Sequence, residues 1–287
     1  GDANTLAATL ATTVPLIIAV FRVYKHAIIR LGCVGLLALL LLMIVNTGSR
    51  SGLLTLMVVG GAMVWFSKYK FQALVVAAVV MVGGWFVLPG QYKERYMTLV
   101  DDDRDADEVS SGRIAIWENG LRMIAAKPLL GVGAGGFQVA NNSGEFGPPI
   151  DMKPHSLYIQ LFASYGFLGA AVWIAFLASI IRSQLRRRPD DEEEDTEDRE
   201  SMLVDRGTWF DIMRRALFAM ICGLMLSGVF GHSLFRYTWY LVAAMTICLV
   251  AIYFRTTPDT QRAKETGDDV EPDELADDTD ALEEARA

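Results

Sequence analysis

The sequence predicts an all-α polytopic membrane protein with about seven transmembrane helices and a long, partly helical outer loop. Two compositional observations and one charge pattern predict it. Hydrophobic residues make up 52% of the 287, and mean hydropathy is +0.30 although 21% of residues are charged. That combination suits apolar helices joined by charged loops better than a soluble globular domain. The apolar residues also gather in runs near the ~20 needed to cross a bilayer. Finally, the short loops richest in basic residues all fall on one side when those runs alternate.

Seven runs qualify or nearly do: Leu6–Phe21, Ala27–Val45, Gly52–Phe66, Phe71–Leu88, Ser156–Ile181, Ala216–Phe230 and Tyr237–Phe254. The first, third and sixth are the shortest. Arg22, Lys25 and Arg30 lie between the first two runs, and Lys68 and Lys70 between the third and fourth. Arg182, Arg186, Arg187 and Arg188 follow the fifth, and Arg255 follows the seventh. That side is expected to be cytoplasmic. The outer side receives the Asn46–Ser51 turn, the loop Pro89–Pro154 and the turn Gly231–Arg236. The chain thus divides into four spans over 1–88, an outer loop over 89–155, three spans over 156–254 with an acidic inner loop at 182–215, and a tail over 255–287.

Charge is segregated. The stretch from Thr256 onward holds twelve acidic and three basic residues, a net of −9. The whole chain carries −8, so the part before it carries about +1 and the acidity describes a tail. Asp190–Glu200 has nine acids and one arginine. Both segments are expected to be disordered solvated stretches, with a docking role as the functional alternative. Cys33, Cys222 and Cys248 sit inside apolar runs and imply neither a disulfide nor a metal framework. The chain opens on Gly1 and enters an apolar run at once, without a charged n-region or cleavage motif. Further segments are therefore expected upstream. No nucleic-acid motif or basic aromatic groove is present.

The outer loop carries a helical pattern. Ser110 and Ser111 are candidate N-caps, followed by Ile114, Trp117, Leu121 and Ile124 at helical spacing. A helix lying on the membrane face is expected, ending at Pro128 and Gly131–Gly136. Asp101–Glu108 lacks the glycine and distal glutamate of a calcium loop and reads as a solvated turn. Gly131, Gly133 and Gly136 imitate a dinucleotide fingerprint in spacing, but no strand precedes them, so they read as a tight turn.

Ionisable groups in a membrane protein mark function because burial in hydrocarbon is costly. Here they gather at the outer ends of helices. Arg50 lies in Thr47-Gly48-Ser49-Arg50-Ser51-Gly52, His155 opens the fifth run, Arg236 sits in the last outer turn, and Arg113 begins the loop helix. Arg50 also fits an arginine snorkelling to headgroups, though the outer side is where arginine is disfavoured. His155 also fits an ordinary interfacial histidine. The positive end of the helix that follows it disfavours the imidazolium, leaving the neutral base that acid–base chemistry needs. Arg113 also fits a solvated first-turn residue. Arg236 and His232 are weaker candidates, and His26 is on the inner side.

These residues carry a resemblance. Ser111-Gly112-Arg113, Trp117, Lys127-Pro128-Leu129-Leu130-Gly131-Val132-Gly133, Phe137, Pro154-His155-Ser156-Leu157-Tyr158-Ile159-Gln160 and Tyr165-Gly166-Phe167-Leu168-Gly169 occur in that order. The Gly48-Ser49-Arg50 turn, the opening Gly1-Asp2-Ala3-Asn4 and Tyr237-Thr238-Trp239-Tyr240 complete the pattern. It resembles the O-antigen ligase and O-antigen polymerase superfamily over about Gly1–Phe254, whose members normally have several more helices upstream. The resemblance implies a GT-C-like inverting glycosyltransferase in a bacterial inner membrane, facing the periplasm. It implies a glycan donor on undecaprenyl diphosphate, and an acceptor hydroxyl on lipid A-core, on another glycan or on a protein. No metal or other cofactor is implied. The family's arginines and histidine fall on Arg50, Arg113 and His155.

Elementary chemistry agrees with those roles. A departing diphosphate develops negative charge, which arginine forks match in geometry and permanent charge. Such preorganised charges contribute a few kcal/mol to transition-state stabilisation. An acceptor hydroxyl must lose a proton, and base catalysis contributes roughly 10²–10⁴-fold. Arg50 and Arg113 are assigned to the diphosphate, His155 to the proton, and Arg236 to a third phosphate contact. A glycan polymerase or a protein O-oligosaccharyltransferase would use the same donor. From another class, a solute transporter would place polar groups near the midplane on broken helices; here the spans hold only peripheral glutamines such as Gln72 and Gln160.

Overall fold

A computed structural model describes residues 3–65, 70–72, 75, 90, 105–185, 204, 206–231, 234 and 236–255. Among them the secondary structure is helical, in eight helices: α1 (Ala3–Val23), α2 (Ala27–Asn46), α3 (Arg50–Trp65), α4 (Asp105–Ala126), α5 (Phe137–Asn142), α6 (Leu157–Leu185), α7 (Arg206–Phe230) and α8 (Tyr237–Arg255). Among the described residues, four helices are long and apolar enough to cross a membrane: α1, α2, α6 and α7. The apolar parts of α3 and α8, Arg50–Trp65 and Tyr237–Tyr253, are shorter. The expected fourth span, Phe71–Leu88, falls almost wholly outside the described residues, as do the acidic stretch Asp190–Glu200, the tail and His232.

The chain is a multi-pass membrane protein. α1, α3 and α7 form the centre of the bundle, each packed against the other two. Small residues let them approach. A Cβ on Gly223 would stand 2.6 Å from Val59 Cγ2 and 3.0 Å from Thr12 Cγ2. A Cβ on Gly52 would stand 2.3 Å from Ala7 Cβ. Close packing of this kind holds helices together where lipid removes the hydrophobic drive. α2 leans on α1 and turns Ile28, Leu31, Leu39 and Leu42 outward. α8 packs on α6 and α7, with Trp173 edge-on to Trp239 at 5.5 Å and Phe210 stacked on Tyr253 at 4.2 Å.

Several helix limits differ from the sequence reading. α7 starts at Arg206, ten residues before the expected Ala216, because Asp211 pairs with Arg214 at 3.0 Å and with Arg215 at 3.7 Å. Pairing at i+3 and i+4 lets charged residues continue a helix into an apolar run. α6 runs past Ile181 far enough to bury Gln184, which donates to Thr246 Oγ1 at 3.0 Å. α4 begins at Asp105, not after Ser110 or Ser111, and absorbs part of the acidic stretch read as a turn.

α4 also buries a second face, beside the apolar one expected to lie on the membrane. Ile116, Asn119, Gly120 and Met123 are buried, whereas Ile114 and Leu121 are 60% and 57% exposed. Gly120 decides this. Ile159 and Phe137 crowd against it, leaving no room for a larger side chain. Ile116, Met123, Phe137, Phe146 and Ala163 close a small core that fixes the loop to α6. Asn119 and Asn141 brace it, bonding to each other at 2.8 Å and to the carbonyls of Pro148 and Ile150.

α6 is broken at Gly166, which has φ 62° and ψ −166°, a conformation available to glycine alone. The break frees the carbonyls of Ala163 and Ser164 and the amides of Phe167 and Leu168. Exposed at membrane depth, each would be costly. The segment after α4 supplies all four partners. Val132 and Gly133 donate to Ala163 and Ser164 at 2.8 and 2.9 Å, and Phe167 and Leu168 donate to Pro128 and Leu129 at 2.7 and 3.2 Å. Gly131, at φ 67°, presses against the Ala163 and Ser164 backbone with no space for a Cβ. The expected tight turn is thus a main-chain splice between loop and helix.

Candidate functional site

One end of the bundle collects the candidate residues. In the turn before α3, Gly48 adopts φ 60° and Ser49 caps the helix, its Oγ accepting from the Gly52 amide at 3.1 Å. The buried Ser49 hydroxyl donates to Asn4 Oδ1 at 2.6 Å, tying the turn to the start of α1. Arg50 is therefore the first residue of α3, half-buried beside the first turn of α1. One residue beyond Asn4, the Thr5 hydroxyl accepts from Arg236 Nη2, which brings in the start of α8. The opposite end is marked by the Val204 amide donating to the Val23 carbonyl at 3.0 Å.

His155 stands two residues before α6, half-buried, at φ 47°. Among the described non-glycine residues it alone has positive φ. Such backbone conformations are uncommon and concentrate at functional positions. Its neighbour Pro154 is buried, and the Pro154 carbonyl accepts from Trp117 Nε1 at 2.8 Å. Arg113 lies one helical turn before Trp117 on the same face of α4 and is half-buried. One indole thus links the element carrying Arg113 to the segment carrying His155.

A cavity of about 520 Å³ opens between these segments. Phe137, Gln138, Lys153, Gln160, Ser164 and Arg236 line it, together with Gly135 and Pro154. Of the four predicted residues Arg236 forms part of its wall. His155 follows two wall residues, Lys153 and Pro154. Arg50 reaches the same end through Asn4 and Thr5, and Arg113 through Trp117. α3, α6 and α8 all begin at this end, with Arg50, His155 and Arg236 at or just before their first turns. The positive ends of three helix dipoles and two guanidiniums make it electropositive and suited to an anion. Among the described residues no group of three His, Cys, Asp or Glu side chains has the geometry of a metal site.

Comparison with known families decides what this end belongs to. The family model described as O-antigen ligase matches residues 35–174. Over that stretch the chain is O-antigen ligase-like. The matched region includes Arg50, Arg113 and His155, the loop splice and the first half of α6; Arg236 lies beyond it. That similarity supports O-antigen ligase-like glycan transfer in general terms. No curated protein matches the chain.

Sequence reasoning missed Trp117 as a tether and Lys153, Gln138 and Ser164 as cavity walls, and it set Gln160 aside as peripheral. A signal for part of this was present. Ser156, Gln160 and Ser164 recur every four residues, a polar stripe on an otherwise apolar helix.

Proposed function

We propose that the protein transfers a glycan from undecaprenyl diphosphate to an acceptor hydroxyl at the periplasmic face of a bacterial inner membrane, with inversion at the anomeric carbon. The observation that carries this reading is the gathering at one end of the bundle of three helix N-termini bearing Arg50, His155 and Arg236, the first two within the family match. Arg50 and Arg113 neutralise the departing diphosphate, with Arg236 as a third contact. Their forks remain charged throughout the reaction and bind phosphate oxygens two at a time. His155 takes the proton of the acceptor hydroxyl as it attacks. The reading includes seven spans over the present residues in a GT-C-like arrangement, with lipid A-core, a glycan or a protein as acceptor.

The broken helix α6 bears on the transporter alternative, since transporters build sites on such breaks. Here the four freed backbone groups are bonded to the loop, so the break is closed to solute. That favours the enzyme. Deleting the intact gene tests the reading. The membrane should then accumulate glycan on undecaprenyl diphosphate while the acceptor loses it. Loss of solute uptake with an unchanged lipid-linked glycan pool would refute it.

A further inference from the structure

The cavity beside His155 has a lining chemistry that, Arg236 apart, the roles above leave unused. Lys153 and Arg236 are its two cations, Gln138 and Gln160 its two amides, Ser164 its hydroxyl and Phe137 its aromatic ring. Among the described residues that line it none is acidic, and the Gln138 amide donates to the neighbouring Asp151 at 2.8 Å. Gln160 Oε1 is buried and has no hydrogen-bond partner among the described residues. A buried acceptor without a donor costs free energy, so such atoms in native proteins call for a ligand or water to complete them. The surrounding donors are cationic or amide groups, and the ring offers an apolar face. A pyranose has that same mix of hydroxyl donors and an apolar face, and two cations add selectivity for an acid on it. A volume of about 520 Å³ lies in the range of small-ligand sites.

We infer that this cavity is a subsite for an acidic sugar. Gln160 Oε1 accepts a hydrogen bond from a ring hydroxyl, and Lys153 with Arg236 binds a carboxylate or phosphate carried by the ring. The inference rests on the glycan-transfer reading for its biological setting, but it is stated in terms of binding and is tested without turnover. Gln160 sits on the rigid first half of α6, between Ser156 and Ser164. A site that hydrogen-bonds a substrate hydroxyl from a buried acceptor discriminates strongly against analogues lacking it. Gln160 and Lys153 are thus specificity-determining residues, while Arg236 serves both the sugar and the leaving group.

The experiment uses the full-length protein in nanodiscs and three probes: trigalacturonate, its methyl ester, and inorganic pyrophosphate. Trigalacturonate should bind at least tenfold more tightly than the uncharged ester. Lys153→Gln should remove most of that difference. Gln160→Met, which keeps the volume but deletes the acceptor, should weaken both sugars several-fold and leave pyrophosphate unchanged. Equal binding of acid and ester, or binding of neither, overturns the inference. So does a Lys153→Gln effect confined to pyrophosphate, which would assign these cations to the donor's phosphates. Glycan transfer that persists unaltered in both variants would sink the subsite and leave the proposed function standing. Selective binding by a protein with no transferase activity would do the reverse.

Discussion

Gly166→Ala is the most direct perturbation of the splice between loop and α6. The added Cβ would lie 2.3 Å from the Leu129 carbonyl oxygen, and φ 62° with ψ −166° is closed to alanine. The relaxed alternative is a continuous helix. Phe167 and Leu168 then donate to Ala163 and Ser164, which recovers two bonds. The four bonds to the loop are lost, so the net deficit is two. At about 1 kcal/mol each this is ~2 kcal/mol, or about 30-fold in a local opening equilibrium. Amide hydrogen exchange reads it directly, because Val132 and Gly133 donate two of the four bonds. Their protection should fall about 30-fold, and glycan transfer should fall with it, since Gly135 and Phe137 of the same loop line the cavity. Gly32→Ala serves as control. It lies in α2 with open space around it and should be neutral or stabilising by up to about 1 kcal/mol, without effect on Val132 or Gly133. Protection that changes less than threefold in Gly166→Ala would refute the splice as a stabilising element.

Two further outcomes follow from the geometry. Trp117→Phe removes the indole donor to the Pro154 carbonyl and should cost about 1 kcal/mol of stability, lowering turnover several-fold while donor binding holds; unchanged turnover would show that the tether does not position His155. In a background with Cys33, Cys222 and Cys248 replaced, a cysteine at position 113 should react with an impermeant thiol reagent in intact spheroplasts while one in the acidic tail does not, and the opposite pattern would reverse the orientation and remove the mechanism.

How legible the molecule was depended on which interactions set each element. α2 is almost wholly apolar and its limits agree with the sequence within one residue. Lipid-facing helices with no internal charge announce themselves by hydropathy. α7 hid its first ten residues because Asp211, Arg214 and Arg215 look like loop until their pairing is seen. α4 was legible on one face and hidden on the other. Its most visible apolar residues, Ile114 and Leu121, are exposed, and its buried ridge runs through Asn119 and Gly120, which hydropathy scores as polar or neutral. Tertiary partners chose that face. The Gly131 motif was visible as a turn former and Gly166 only as part of an apolar run, and their meaning required knowing that the two backbones touch. Of the candidate site, Arg50, Arg113, His155 and Arg236 stood out because cationic or titratable groups are few beside the apolar runs. Lys153 and Gln160 did not, because only the folded cavity brings them together.

The central claim is glycan transfer driven by cationic leaving-group stabilisation and a histidine base. It is tested most directly by turnover of the reconstituted full-length protein with purified lipid-linked donor and acceptor. His155→Ala should lower turnover by about 10²–10⁴-fold with donor affinity largely retained. Arg50→Lys should impair turnover despite keeping the charge, because a single ammonium cannot replace the planar fork. Arg50→Ala should also weaken donor binding, and more than His155→Ala does. Near-normal turnover of His155→Ala across pH 6–8 would contradict the base assignment, and normal turnover of Arg50→Ala as well would contradict the account as a whole.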